Sequence, residues 1–161
     1  MKTKTEPKRR LADELDPGLA AWRSFVLGHS RLMRALDDDL QREHDFTIGE
    51  YDVLINLARV PEGLRMCDLA AAVVLSPSGL TRRIARLERA GLVERSRGQG
   101  DARNVVSKLT PAGRALFKRL RSTHLDGIEK RFLDHFTKAE IETLGELLGR
   151  LVPSDDPSSP R

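Results

Sequence analysis

The sequence predicts a mainly α-helical fold with a small β-hairpin. Hydrophobic residues make up 39% of the 161 residues and aromatic residues only 4%, so the core has to be mainly Leu, Ala, Val and Ile, which suits packed helices. Apolar residues also recur at helical spacing in several long segments. By contrast, residues 92–109 contain two short β-prone runs joined by a Gly-rich, charged tip.

The first long helix is predicted from Pro17, which suits a first helical position, to about His44. Its apolar stripe consists of Trp22, Phe25, Val26, His29, Leu32, Met33, Leu36 and Leu40. This stripe is too long to be covered by a small domain alone, which indicates burial against a partner chain. A second helix begins at Thr47, which forms a capping box with Glu50, and reaches about Arg59.

Two closely spaced helices follow, after a predicted short strand over residues 64–66. The first helix covers residues 67–73 and the second covers residues 76–90, with Ser76 as N-cap and Pro77 at the first helical position. The packing face carries Leu80, Ile84 and Leu87, and the opposite face carries Ser78, Thr81, Arg82, Ala85, Arg86 and Arg89. A face of hydroxyl and guanidinium groups suits a DNA major groove, although a charged helix face is often only solvated.

The hairpin directly after these helices strengthens the DNA-binding interpretation. Its strands are predicted at residues 92–95 and 105–109, and Arg95, Arg97 and Arg103 place cations around it. A helix-turn-helix followed by such a hairpin is a winged helix-turn-helix, in which the wing lies beside the phosphate backbone.

Positive charge is concentrated rather than spread along the chain. Residues 1–10 hold five Lys or Arg against one Glu, and residues 76–103 hold seven Arg against three acidic residues. Each segment therefore carries +4, and the remainder must sum to −4 to give the net charge of +4. This distribution is typical of a nucleic-acid-binding protein. The N-terminal segment is interpreted as a solvated tail, with a DNA-binding arm as the alternative.

The C-terminal third is predicted to be helical again. Thr110 caps and Pro111 opens a long helix that runs to about His135. A second capping box, Thr137 with Glu140, starts a last helix with one apolar face. The predicted division is a disordered basic tail (1–16), a dimerisation helix (17–45), a winged helix-turn-helix domain (46–110), dimerisation helices (111–152) and a disordered tail (153–161). A helical bundle within a single chain is the alternative to dimerisation.

The central segment resembles the winged helix-turn-helix of MarR-family transcriptional regulators. The matching residues are Leu69-Ala70, the run LSPSGLTRRIARLERAGLVER (75–95), Asp101-Ala102-Arg103 as a D-x-R wing signature, and LTPAG (109–113). The resemblance in helix pattern extends from about residue 19 to residue 152. It implies a homodimer on double-stranded DNA at a pseudo-palindromic operator, with helix 76–90 in the major groove and wing 93–109 on the backbone or minor groove.

On this reading the DNA-binding residues are Ser76, Ser78, Thr81, Arg82, Arg86, Arg95, Arg97, Asp101 and Arg103. Ser76 is expected mainly to cap the helix and, with the helix N-terminus, to hold a phosphate. Asp101 is expected to hold Arg103 in place against the DNA. The alternative for this pair is a local salt bridge that only shapes the hairpin.

The resemblance further implies a repressor that is released by a small-molecule effector, aromatic or lipophilic in character. The residues expected to line its pocket are Trp22, His29, Arg34, Tyr51 and His124. The alternative is that the aromatic and histidine residues are core residues whose polar atoms are satisfied.

No cofactor, metal ion or enzymatic activity is expected. The four histidines lack close metal-ligand spacing, and the single cysteine, Cys67, is interpreted as a small packing residue. Phosphate-binding loops, dinucleotide fingerprints and nucleophile elbows are missing from the sequence. Without a signal peptide or a long apolar run, the protein is expected in the cytoplasm and not in a membrane. The alternative function is a winged-helix protein–protein interaction module without specific DNA binding.

Overall fold

The computed structural model describes residues 16–73, 76–97 and 105–152, with the side chain of Arg97 outside the description. In chain order the elements are α1 (Pro17–His44), α2 (Ile48–Arg59), β1 (Leu64–Arg65), α3 (Met66–Ala72), α4 (Pro77–Arg89), β2 (Val93–Arg97), β3 (Val105–Leu109), α5 (Pro111–Arg131), a 3₁₀ turn (Leu133–His135) and α6 (Lys138–Gly149). The predicted fold class is confirmed. The C-terminal tail and nearly all of the N-terminal tail lie outside the described residues.

The helices begin where local side chains cap them. The hydroxyl of Ser76 accepts a hydrogen bond from the amide of Gly79 at 3.2 Å, as predicted for an N-cap residue. Both predicted capping boxes are present, at Thr47 with Glu50 and at Thr137 with Glu140. These starts depend only on residues within one turn, which is why the sequence alone could predict them.

The three strands form one antiparallel sheet in the order β1-β3-β2. Leu64 lies opposite Ser107, so the short strand before the helix pair does pair with the returning wing strand. Val93 lies opposite Leu109 at the base of the wing. This pairing anchors the hairpin to the helices on both sides of it.

The core lies where α2, α4 and the sheet meet the middle of α5 and the end of α1. It consists mainly of buried aliphatic side chains, among them Leu40, Val53, Leu54, Leu57, Leu69, Leu80, Ile84, Leu87, Val93, Leu109 and Leu120. The predicted packing face of α4 is therefore fully buried, and the opposite face of the helix points to solvent.

The apolar stripe of α1 divides into two halves. Leu36 and Leu40 are buried within the chain, whereas Trp22, Phe25 and Met33 remain exposed. Helix α6 likewise buries none of its residues in this chain. Together the two helices therefore expose many apolar side chains to water. An exposed apolar surface of this kind indicates a site that another molecule covers.

The long helix before α6 is shorter than predicted. It was expected to reach about His135, but α5 ends at Arg131 and the chain continues as a 3₁₀ turn. Phe132 leaves the helical region with φ −129°, and its ring lies 5.3 Å from that of Phe136. This local packing of two aromatic rings favours the turn over a continuous helix.

Helices α1 and α5 are joined by an ion-pair cluster that the sequence did not predict. The carboxylate of Asp39, only 5% exposed, pairs with Arg42 of its own helix at 2.6 Å and with Arg131 of α5 at 2.5 Å. Burial raises the pKa of Asp39, but hydrogen bonds and charges from the two arginines outweigh it and hold that pKa below its usual value. The cluster fixes the crossing of the two long helices.

Candidate nucleic-acid interface

The outward face of α4 is polar and open to solvent. Ser76, Ser78, Thr81 and Arg82 are all exposed. The hydroxyl of Thr81 donates to the carbonyl of Pro77 at 3.0 Å, which limits rotation of this side chain. Arg82 makes no hydrogen bond or ion pair with the part of the chain that the structure describes. Its guanidinium group is therefore available to a ligand.

Arg86, which was predicted on the same face, has partners within the protein. Its Nη1 atom lies 2.8 Å from Oε1 of Glu50, a side chain that is only 2% exposed. Its guanidinium carbon also lies 5.8 Å from the ring centre of Phe46. Arg86 is half-exposed, and its predicted contact with DNA stays a prediction.

The first wing strand is tied to α4. Nε of Arg95 lies 3.4 Å from Oε2 of Glu88, the residue before the end of the helix. The backbone of Arg97 pairs with Val105 across the wing, while Asp101 and Arg103 lie outside the described residues. Helix and wing thus form one surface, and the predicted roles of the wing cations stay predictions.

The residues predicted to line an effector pocket fall into two groups. On α1, the ring centre of Phe25 lies 6.2 Å from that of Trp22 and 6.3 Å from that of His29, in an exposed row. Between α2 and α5, the ring centre of Tyr51 lies 4.4 Å from that of His124. Arg34, the remaining residue of the predicted set, is exposed on α1.

The pair of Tyr51 and His124 is the more enclosed of the two groups. Nδ1 of His124 is buried and has no hydrogen-bond partner within the described residues. Burial lowers the pKa of His124 and raises that of Tyr51, the latter opposed by the charges of Arg121 and Arg59. A ring nitrogen that lacks a partner among the described residues, next to the ring of Tyr51, can form a hydrogen bond with a small polar or aromatic molecule.

The lowered pKa of His124 predicts that acid destabilises the protein. The unfolded chain takes up a proton near the ordinary histidine pKa of about 6.5, whereas the folded chain takes it up only at lower pH. The contribution of neutral His124 to stability is therefore complete above pH 6.5 and declines as pH falls through the folded pKa. Urea denaturation from pH 7.5 to 5.0 measures this, with His124→Gln expected to flatten the profile and exposed His135→Gln expected to leave it unchanged. If both variants showed the same dependence of stability on pH, the assignment of this pH dependence to His124 would be contradicted.

Cys67 is exposed, and its prediction as a packing residue was wrong. Helix α3 has only seven residues and fully buries only Leu69, so its second residue faces away from the core. Sγ of Cys67 lies 3.5 Å from the carboxylate of Asp68. Within residues 16–73, 76–97 and 105–152, no three His, Cys, Asp or Glu side chains are grouped in a way that could hold a metal ion. None of the described helices is long and apolar enough to span a membrane.

Comparison with known proteins identifies relatives of this chain. The model of the MarR family matches residues 44–104, which contain α2, the helix pair and most of the wing. The HTH-type transcriptional regulator PecS of Dickeya dadantii is 34% identical over 120 residues, which are 73% of this chain and 71% of PecS. The homoprotocatechuate degradative operon repressor of Escherichia coli is 31% identical over 112 residues, 69% of this chain and 74% of that protein.

A solved structure shares both the fold and a substantial part of the sequence. It is a MarR family transcriptional regulator from Streptomyces coelicolor, crystallised in complex with DNA, with a TM-score of 0.76 and 31% identity. The match covers 86% of this chain and 93% of that one. The long terminal helices are therefore included in the likeness, together with the winged helix.

Proposed function

This chain belongs to the MarR family of transcriptional regulators, DNA-binding proteins and not enzymes, and we propose that it is a homodimeric repressor released by a small-molecule effector. Repression is supported by the name of the Escherichia coli relative. Dimerisation is supported by the apolar faces of α1 and α6, which this chain leaves exposed. A two-fold dimer presents two α4 helices about 34 Å apart, which calls for a pseudo-palindromic operator.

The outward face of α4 is the observation that carries the proposal. Its inner face is buried, so Ser78, Thr81 and Arg82 are presented together to an approaching duplex. A guanidinium group can donate two hydrogen bonds to O6 and N7 of guanine, which is worth about 1–3 kcal/mol of discrimination. Arg95, Arg97 and Arg103 then anchor the wing on phosphates, and the N-terminus of α4 with Ser76 holds another phosphate.

The effector is proposed to bind between the winged helix and the long helices, against Tyr51 and His124. The ring of Phe117 lies 5.9 Å from that of Tyr51 and extends the aromatic wall. Because Nδ1 of His124 lacks a partner among the described residues, a ligand with one polar group on an aromatic or lipophilic body suits the site. Trp22 and His29 belong to the apolar face of α1 that the dimer covers, whereas Arg34 is exposed on the other side of that helix. These three residues reach the ligand only if the partner chain brings them there.

The test is selection of duplexes from a randomised DNA pool, followed by binding measurements at several salt concentrations. Arg82→Ala is expected to lower affinity for the selected duplex by about 10- to 100-fold and to relax preference at one base pair of each half-site. Arg103→Ala is expected to weaken binding to selected and random duplexes alike and to reduce the salt dependence. Exposed Arg119→Ala, on α5, is the control and should change neither. A protein that binds no duplex at low salt would instead favour the protein–protein interaction module.

A further inference from the structure

Arg82 and Arg86 do not share one direction on α4. At about 100° per residue, Arg82 lies near the centre of the outward face, whereas Arg86 is turned toward the side on which Gly79 and Arg83 lie. That side faces the junction of α1 and α2. The guanidinium of Arg83 lies so close to Gly49 that a Cβ placed there would be 2.8 Å from Nε. The flank of α4 therefore packs against the start of α2.

Glu50 makes two sets of contacts at this junction. Its Oε2 atom accepts hydrogen bonds from the amide of Thr47 at 2.9 Å and from the hydroxyl of Thr47 at 3.0 Å, which caps α2. Its Oε1 atom lies 2.8 Å from Nη1 of Arg86. One buried carboxylate thus joins the first turn of α2 to the third turn of α4.

Arg86 is held by more than this ion pair. Its Nη2 atom donates to the carbonyl oxygen of Asp45 at 3.3 Å, at the residue that ends α1 in the left-handed conformation with φ 57°. The face of Phe46 lies against the guanidinium on another side. To reach a base edge, Arg86 has to leave these partners. The buried carboxylate of Glu50 would then have no cation beside it, which is strongly unfavourable.

We propose that Glu50 and Arg86 are positioning residues that set the angle of α4 in the major groove. This inference rests on the proposed DNA-reading function and assigns the reading itself to the outward face with Arg82. The junction of α1 and α2 also connects α4 to the long helices.

The test uses Glu50→Gln, because a side chain that is 2% exposed cannot touch DNA. The affinity for the duplex selected by the wild-type protein is divided by the affinity for a random duplex, which gives the selected-to-random ratio. We expect Glu50→Gln to lower this ratio about tenfold, as the loss of one base contact would. Affinity for random duplex should stay within twofold, since every exposed cation is retained. Glu140→Gln is the matched control, because Glu140 makes the same capping contacts with Thr137 but pairs with no arginine among the described residues.

Arg86→Met and Arg86→Lys complete the experiment. A positioning role predicts that Arg86→Met lowers the selected-to-random ratio without changing the salt dependence, and that Arg86→Lys, which keeps the charge, does not restore the ratio. A salt dependence that falls by about one ion per half-site in Arg86→Met would show a direct phosphate contact and overturn the inference. So would a Glu50→Gln ratio within twofold of wild type. If the wild-type protein selects no duplex at all, the proposed function fails and this inference fails with it.

Discussion

Replacing Gly113 with alanine is expected to destabilise the protein by about 3 kcal/mol, at the upper end of overpacking costs. Gly113 lies in the first turn of α5, where a Cβ atom would be 2.0 Å from the carbonyl oxygen of Leu92. That oxygen is a backbone atom, and it also accepts a hydrogen bond from the amide of Thr110 at 3.1 Å. The neighbour therefore cannot turn aside as the end of a side chain could.

The clash has to be relieved by moving α5 away from the base of the wing. Leu109, whose Cδ2 atom lies 3.4 Å from that Cβ position, and Leu116 both belong to the buried core, so any separation opens the core. Denaturation by guanidinium chloride, followed by circular dichroism, measures this loss of stability as a lower midpoint concentration of denaturant. Gly145→Ala is the control, because nothing lies within 4 Å of its Cβ position in α6 and alanine is the better helix former by about 0.5–1 kcal/mol. A Gly113→Ala midpoint equal to that of wild type would refute the packing described here.

Local signals account for the parts of the fold that the sequence predicted. The caps at Thr47, Ser76, Thr110 and Thr137 each involve residues only three positions apart, and the structure has all of them. The period of apolar residues likewise predicted the buried face of α4. Gly113 belonged to the LTPAG segment of the family resemblance, but only the structure supplies the physical reason for a glycine there, the contact with Leu92.

Contacts between distant residues account for what the sequence could not predict. Glu50 was interpreted only as half of a capping box, because nothing in its neighbourhood along the chain indicates a partner on α4. Asp39 and Arg131, 92 residues apart, gave no signal of their pairing. Both carboxylates lie on otherwise amphipathic helices, where a charged residue is usually solvated. The partner becomes visible only once the helices are packed.

The stripe of α1 shows a second limit of sequence periodicity. The pattern from Trp22 to Leu40 is continuous, yet only its C-terminal half is buried within the chain. Apolar spacing predicts that a helix face is covered, but it does not say by which chain. The N-terminal half, with Trp22 62% exposed, is the part that one chain leaves uncovered.

A charge placed on that uncovered half is expected to separate the proposed dimer and to weaken operator binding strongly. Phe25 is 43% exposed and lies between Trp22 and His29 in the aromatic row. In Phe25→Asp, dimerisation would bury a carboxylate without a partner, which costs several kcal/mol on each side of a symmetric interface. Sedimentation velocity at micromolar concentration should then show a monomer in place of the wild-type dimer.

Loss of the dimer should weaken operator binding far more than loss of any single contact. Two linked α4 helices bind two half-sites with an advantage of about 10²–10⁴ over one helix, because the second binding event is intramolecular. Affinity of Phe25→Asp for the selected duplex should therefore fall by at least about 100-fold and approach that for a single half-site. A wild-type protein that sediments as a monomer, or a Phe25→Asp variant that stays dimeric, would contradict the assignment of this face.

Ser24→Asp provides the matched control, since it adds the same charge one residue away. At about 100° per residue, Ser24 lies on the side of α1 opposite the stripe of Trp22, Val26 and Met33. It should leave both the dimer and the operator affinity within twofold of wild type. If the two variants lose affinity equally while both stay dimeric, the effect is repulsion between the added charge and DNA. If only Phe25→Asp dissociates, the exposed apolar half of α1 is the surface that sets the distance between the two reading helices.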